Sequence, residues 1–357
     1  MGLLENENKI QALAKTKALQ SQLQILQPVW MQNKTLSALG VSIRAGPVAN
    51  TALEEARVQA GTQRAKLLAC LPLSYRHKME LYRIFVLPKA TYGWINRFPP
   101  EATANRWFNA LTKMNNTNKM ANPCIRATLY GGNSHCHPVI GLRMFKRLAR
   151  MRSSLPWSAQ AGSPVTALRG WMKKLGWQEV SPWKWKWYNN VVVEAGPSTG
   201  QEAMHHLRHS WRMHLLNKFS KSKRHEAAEW RRVTTHAQMR ANLEEVDLAA
   251  VRRHFDRATP STRAVLLGSV VSPAWYGRSN QGSTQCPYCR GVGTWMHLAW
   301  NCRNVPGAAV RRPRQHPKNW LTKRFGWPTT SDSHTAITRR LQWLSEVVEL
   351  IWQVRHD

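Results

Sequence analysis

Acidic residues are scarce in this sequence. Nineteen Asp and Glu stand against 52 Lys and Arg in 357 residues. Aspartate occurs only as Asp247, Asp256, Asp332 and Asp357, and no two of these are adjacent. A two-metal nucleotidyl transferase needs convergent carboxylates to hold its cations, and a ribonuclease-H-like site needs a still larger cluster. Four scattered aspartates supply neither. No Pro-Asp followed by a spaced acid, as a restriction-like nuclease requires, comes after the cysteine-rich segment near residue 290. A Walker loop and a Gly-x-Ser-x-Gly elbow are also missing. The expectation is a chain with no catalytic residue of its own and no small-molecule substrate. Asp247 and Asp256 are expected as helix-surface partners of arginine.

Long apolar runs are missing too. No stretch of about 18 apolar residues offers a membrane helix, and the first residues lack the apolar core of a secretory signal. Cysteine is sparse, with six residues, too few for a disulfide framework in a chain of this length. A reducing compartment follows as the expectation: nuclear or cytoplasmic, and not secreted.

What is present is positive charge, with a formal net value of +33. A compact state carrying that excess repels itself unless a polyanion neutralises it. The apolar fraction of 43% still suffices for real cores. Tryptophan is abundant, with 18 residues against 7 Tyr and 7 Phe. Indoles pack cores, and they also stack on bases.

The pattern along the chain is mainly helical. Residues 1–35 read as a helix stopped near Pro28, followed by one short strand over 34–44 in which Leu39, Val41 and Ile43 alternate. Ala52, Ala56, Ala60 and Leu67 then recur at helical spacing. A second helix is expected over 74–86, ending at Leu87-Pro88, with further helices at 101–120 and 138–153. A Ser-, Pro- and Gly-rich break covers 153–165. The stretch 201–258 is helical and dense in His and Arg. A last amphipathic helix, 333–355, carries Ile337, Leu341, Leu344, Val348 and Ile351 as its apolar stripe. Five segments result: a helix and strand at 1–46, a helical region at 47–155, a basic Trp-rich linker and helical region at 156–280, a small metal module at 281–305, and a tail with a helix at 306–357.

Three constellations carry chemistry. Cys286, Cys289, His297 and Cys302 follow the spacing C-x2-C-x7-H-x4-C. Three thiolates and one imidazole make a complete tetrahedral ligand set for Zn²⁺, and a closed set is structural rather than catalytic. Cys70, Cys124 and Cys136 are then left as buried structural thiols. In the run Trp183-Lys-Trp-Lys-Trp187, strict alternation puts indoles on one face and Lys184 and Lys186 on the other. Such a strand could stack bases and hold phosphate, or it could bury its Trp face in a core, and the core reading is preferred. In the basic stretch, Arg208, Arg212, Lys218, Lys221, Lys223, Arg224, Arg231, Arg232, Arg252 and Arg253 could track a phosphate backbone. Acids are sparse there, which favours binding over a merely solvated helix face. His205 and His209 share a helical face but have no third ligand at matching spacing.

In order, these residues resemble the region downstream of the palm in reverse transcriptases of non-LTR, LINE-type retrotransposons. Leu39-Gly40-Val41 resembles the segment that closes the palm. Leu87-Pro88 followed by Tyr92-Gly93 resembles a segment of the thumb helices. The Cys286, Cys289, His297 and Cys302 set, with Leu298 after the histidine, resembles the zinc segment near the C-terminus of such proteins, and Phe325-Gly-Trp-Pro328 is compatible with their tail. The resemblance implies a thumb-like helical bundle that grips RNA, an RNA–DNA hybrid or target DNA through phosphates. The palm aspartates and the nuclease of that family have no counterpart here. The expectation is a non-catalytic, nucleic-acid-binding C-terminal remnant of such an enzyme. Its alternatives are a truncated part of an active RNA-directed DNA polymerase and a zinc-organised structural or interaction protein.

Overall fold

The computed structural model describes residues 36–38, 41–43, 52–73, 75–94, 98–100, 102–104, 124–125, 128–129, 135–152, 164–188, 190–196, 200–221, 235–270, 272–280, 283–314 and 316–354. The expected helix over 1–35, most of the expected helix over 101–120 and nearly all of the 153–165 break lie outside them. The described residues are mainly helical with a small three-stranded sheet. The chain divides into two units: 1–71 with 78–111 and 136–203, and 72–77 with 112–135 and 204–357.

In the first unit the single strand expected over 34–44 is instead two, β1 (Leu36–Ala38) and β2 (Val41–Ile43), paired antiparallel with Leu36 opposite Ile43. A glycine within a run of alternating residues weakens a continuous strand and favours such a break. Helix α1 (Ala52–Cys70) follows. Its buried positions are Glu54, Val58, Gly61, Ala65 and Leu68, whereas Ala56 is exposed and Leu67 is 71% exposed. The packed face is therefore displaced from the Ala56 and Leu67 positions expected to carry it. The cause is a close approach that apolar periodicity does not encode: a Cβ on Gly61 would come within 2.6 Å of the Ala90 Cβ. Only glycine allows the two backbones to meet there.

The helix expected to end at Leu87-Pro88 continues past it. It is α-helical over Tyr75–Leu81 (α2), π-helical over Tyr82–Val86, and α-helical again over Leu87–Thr91 (α3). Pro88 cannot donate to the carbonyl four residues back. The π turn, in which the Leu87 N–H reaches the Tyr82 carbonyl, absorbs that defect without ending the helix. Helices α4 (Cys136–Arg150) and α5 (Pro164–Lys174) pack together, with Gly141 against the Trp171 ring. A meander of β3 (Gln178–Ser181), β4 (Lys184–Lys186) and β5 (Val192–Glu194) completes the unit. Trp183, Trp185 and Trp187 are all buried. Trp185 meets Phe145, and Trp187 stacks on Trp177. The indoles of the Trp/Lys ladder thus belong to the core and not to a stacking platform. The strand itself is only 184–186, because Trp183 takes a left-handed conformation (φ 66°) in the preceding turn.

The second unit is built on α6 (Gln201–Ser220, in this unit from Met204 onward), α7 (His236–Glu245), α8 (Leu248–Arg257), α9 (Pro260–Leu266) and α10 (Pro273–Asn280). Thr235 and Gln238 form a capping box on α7, and the Asp247 carboxylate caps α8 by accepting from the Ala249 and Ala250 N–H groups. Such caps satisfy otherwise orphaned donors. After the cysteine segment come α11 (Ala308–Arg311), α12 (Trp320–Phe325) and α13 (His334–Gln353). The expected stripe of α13 is buried throughout: Ile337, Leu341, Leu344, Val348 and Ile351. Its Leu344, Val348 and Ile351 pack with α9 and the cysteine segment in one apolar cluster with Trp295, Leu298 and Trp300.

Candidate metal centre and cationic cluster

Gln285 and Val292 pair antiparallel, which closes a tight turn over 286–291. The Cys286 N–H reaches the Gly291 carbonyl at 2.6 Å, and the Arg290 N–H reaches the Cys286 carbonyl at 2.9 Å. Arg290 sits in the left-handed region (φ 60°). A Cβ on Gly291 would lie 3.4 Å from the Cys289 sulfur, so the turn closes directly over the thiol. The N–H of Gly291 points at Cys289 sulfur, and those of Tyr288 and Cys289 point at Cys286. Such donors favour thiolate over thiol.

The other two ligand positions come from a π-helical turn, His297–Asn301, with Cys302 at its end. An α-helix would swing residues five apart to different faces. Here the Cys302 N–H bonds the His297 carbonyl at 2.7 Å, the five-residue repeat that stacks one residue over the other. The Thr294 hydroxyl accepts from the His297 N–H at 3.2 Å.

The four ligand atoms lie within 4.8 Å of one another. Cys286 and Cys302 sulfurs are 3.7 Å apart, and Cys289 sulfur is 3.1 Å from His297 Nε2. Among the described residues this is the one His/Cys/Asp/Glu group that could hold a metal ion; His205 and His209 form no such group. Burial pushes the Cys286 thiol up to about 11 against the pull of its N–H donors. The Cys289 thiol is pulled down, first by the Gly291 N–H. Burial, then the Arg312 charge, lowers His297 and keeps its imidazole neutral. A neutral imidazole and a buried sulfur that lacks counter-charge are what a cation would complete.

Tryptophans hold the centre in place. Trp295 donates to the Arg324 carbonyl at 3.0 Å, and Trp300 to the Lys323 carbonyl at 2.9 Å. Both acceptors sit in the last turn of α12, where helix carbonyls have no internal partner. Trp343 of α13 donates to the Ala299 carbonyl at 2.8 Å. Arg312 donates to the Cys302 carbonyl. Of the remaining thiols Cys136 is buried, but Cys124 is half-buried and Cys70 is exposed, so the buried role expected for all three holds for Cys136 alone.

The expected phosphate contacts divide. Lys223, Arg224, Arg231 and Arg232 lie outside the described residues. Lys184 is half-buried and Lys186 exposed on β4, in the first unit. Lys218 and Lys221 are exposed at the end of α6. Arg253 is exposed, 3.6 Å from Asp247. Arg208 and Arg212 share one face of α6 at i, i+4, and both are half-buried with an unpartnered Nε. Arg252 of α8 donates to the Leu129 carbonyl at 3.2 Å and is close enough to repel Arg212. Burial, then the Arg252 and Arg208 charges, push the Arg212 guanidinium down to about 10. It remains charged at neutral pH. Three of the expected residues are thus gathered in one place, and no carboxylate among the described residues forms an ion pair with Arg208 or Arg212.

No helix among the described residues is long and apolar enough to cross a membrane. Comparison with protein-family models, curated proteins and solved structures finds no match.

Proposed function

We propose that this chain is a zinc-organised nucleic-acid-binding protein that performs no chemistry itself. Three thiols and one imidazole are the donor set that selects zinc among divalent cations. A tetrahedral site with Zn–S bonds of about 2.3 Å separates two sulfurs by about 3.8 Å, and the Cys286–Cys302 separation of 3.7 Å fits. The ion would supply folding free energy and keep the ligand thiols ionised.

More particularly, it acts as the template- and target-gripping region of a LINE-type reverse transcriptase. The order of motifs supports this: Leu39-Gly40-Val41, then Leu87-Pro88 with Tyr92-Gly93, then the cysteine–histidine set. The packing of α1 against α3 supports a thumb-like helical bundle at that point in the order.

The observation that carries the reading is the Arg208 and Arg212 pair on α6, with the Arg252 charge close by. Half-buried like charges cost free energy that a phosphate chain relieves, and among the described residues no carboxylate forms an ion pair with Arg208 or Arg212. Binding of an RNA–DNA hybrid to the full chain, titrated with salt, tests it. Arg208→Ala with Arg212→Ala should weaken binding and flatten its salt dependence by about 1.5 units of slope. An unchanged slope would leave the cluster without that role and favour a structural zinc protein.

A further inference from the structure

A groove of about 1120 Å³ lies between the 310–319 segment and the first half of α13. Small-molecule clefts run to about 1,000 Å³ and are mostly apolar, so this one is too large and too charged for that class. Six cationic side chains and three carboxylates line it. The carboxylates are already engaged. Glu346 lies 3.1 Å from the Arg311 guanidinium. Asp332 receives Arg340 through both its oxygens. Glu245 accepts from the Asn319 amide at 2.9 Å. That leaves Arg312, Arg314, Lys318 and Arg339 facing the groove, with no ion pair to a carboxylate among the described residues.

These four divide into two kinds. Arg314, Lys318 and Arg339 are exposed and come from both walls. Arg312 is half-buried, with its guanidinium 5.3 Å from the Trp343 ring, an unpartnered Nε and a bond to the Cys302 carbonyl. Close by, the exposed His316 ring stands 5.5 Å from Trp300. Spread cations suit a chain of phosphates rather than one compact phosphate group. A guanidinium over the Trp343 indole and an imidazole tilted at 55° beside Trp300 offer planar groups that suit bases.

We infer that this groove binds a single strand of nucleic acid. Phosphates lie along Arg314, Lys318 and Arg339, and bases stack at Arg312 and His316. The partner class rests on the nucleic-acid reading above, but the site is separate from the Arg208–Arg212 cluster and is tested separately. A concave trough admits one strand; a duplex presents a convex surface that fits protruding helices better. The cysteine ligand set bears on the groove directly, since the Cys302 carbonyl anchors Arg312.

The test is binding of a short oligouridylate and of an RNA–DNA hybrid to the full chain. The variants are Arg314→Ala/Lys318→Ala/Arg339→Ala and, separately, Arg208→Ala/Arg212→Ala. All three groove residues are exposed, and an unchanged melting temperature confirms that the variant is folded. Loss of three single-strand phosphate contacts should cut oligouridylate affinity about tenfold or more and reduce the salt slope by about 2. Hybrid affinity should change far less, and the α6 variant should do the reverse. Photocrosslinks from the oligouridylate should fall within 310–343. Wild-type oligouridylate affinity in the groove variant, or crosslinks confined elsewhere, would overturn the inference. So would a phosphopeptide that competes for the groove as well as the oligouridylate does. If the α6 variant alone loses binding to both probes, the general reading stands and the groove assignment falls.

Discussion

Trp343 on α13 donates its indole N–H to the carbonyl of Ala299 at 2.8 Å, two residues past the ligand position His297. The bond ties the C-terminal helix to the π turn that brings His297 and Cys302 together. Trp343→Phe keeps most of the ring volume and strands a buried carbonyl. It should cost about 1–3 kcal/mol in denaturant unfolding and lower metal affinity alongside. A variant with wild-type stability and full metal content would show that the turn holds without its clamp.

Metal removal should act locally. Cys289→Ser, or chelation of the wild-type chain, should reduce bound zinc from about one per chain to near zero. Amide exchange should then accelerate over 283–314 and in α13, whereas α1, α3 and the β3–β5 meander keep their protection. Exchange that rises equally throughout the chain would contradict a local clasp. So would metal content unchanged in Cys289→Ser.

Two groups give stability an acid limit in separate windows. His209 is pushed down to about 4, by burial first and then by Arg212, His205, His206 and Arg240. Glu244 lies 3.9 Å away but is half exposed and does not offset them. A histidine whose folded value is depressed stabilises fully above its ordinary value of about 6.5, and that contribution fades as pH falls toward 4. For Asp332, burial pulls upward, yet the Arg340 hydrogen bond, the Thr329 N–H and the Arg340 charge together hold it below the usual carboxylate range. Its contribution is complete above about 4 and is lost as pH falls below that. His209→Gln should therefore flatten the stability profile between pH 6.5 and 4, and Asp332→Asn below pH 4. Identical profiles in wild type and variants would show that neither group is linked to folding.

The close contact of α1 and α3 admits no side chain at position 61. Gly61→Val should destabilise the first unit by about 1–3 kcal/mol through overpacking against Ala90. Urea unfolding followed by tryptophan fluorescence measures it. A neutral effect would mean that the helices separate without cost.

Composition and spacing suffice to read the candidate ligand set and the last helix. Cysteine spacing is a direct chemical signal, and the Ile337 to Ile351 stripe is a strong 3.6-residue period. The buried face of α1 was not readable, because it depends on Gly61 and Ala65, small residues whose role is to let a neighbour approach. The Trp/Lys alternation correctly suggested a strand with indoles inward, yet its hand-over at Trp183 needs a left-handed residue that no pattern announces. The indole clamps were invisible for a different reason: Trp295, Trp300 and Trp343 look like ordinary core residues until the carbonyls they satisfy are known. The gathering of Arg208, Arg212 and Arg252 needed the fold to bring α8 beside α6. The groove's two walls, the 310–319 segment and Arg339 and Arg340 on α13, meet only in the fold.

On the proposed function, the excess of positive charge serves a phosphate backbone. Affinity of the full chain for an RNA–DNA hybrid, measured between about 50 and about 200 mM salt, tests it most directly. Affinity should fall at least about 100-fold across that range, with a slope that shrinks when Arg208 and Arg212 are replaced. A flat salt response, or no binding at the low-salt end, would contradict it.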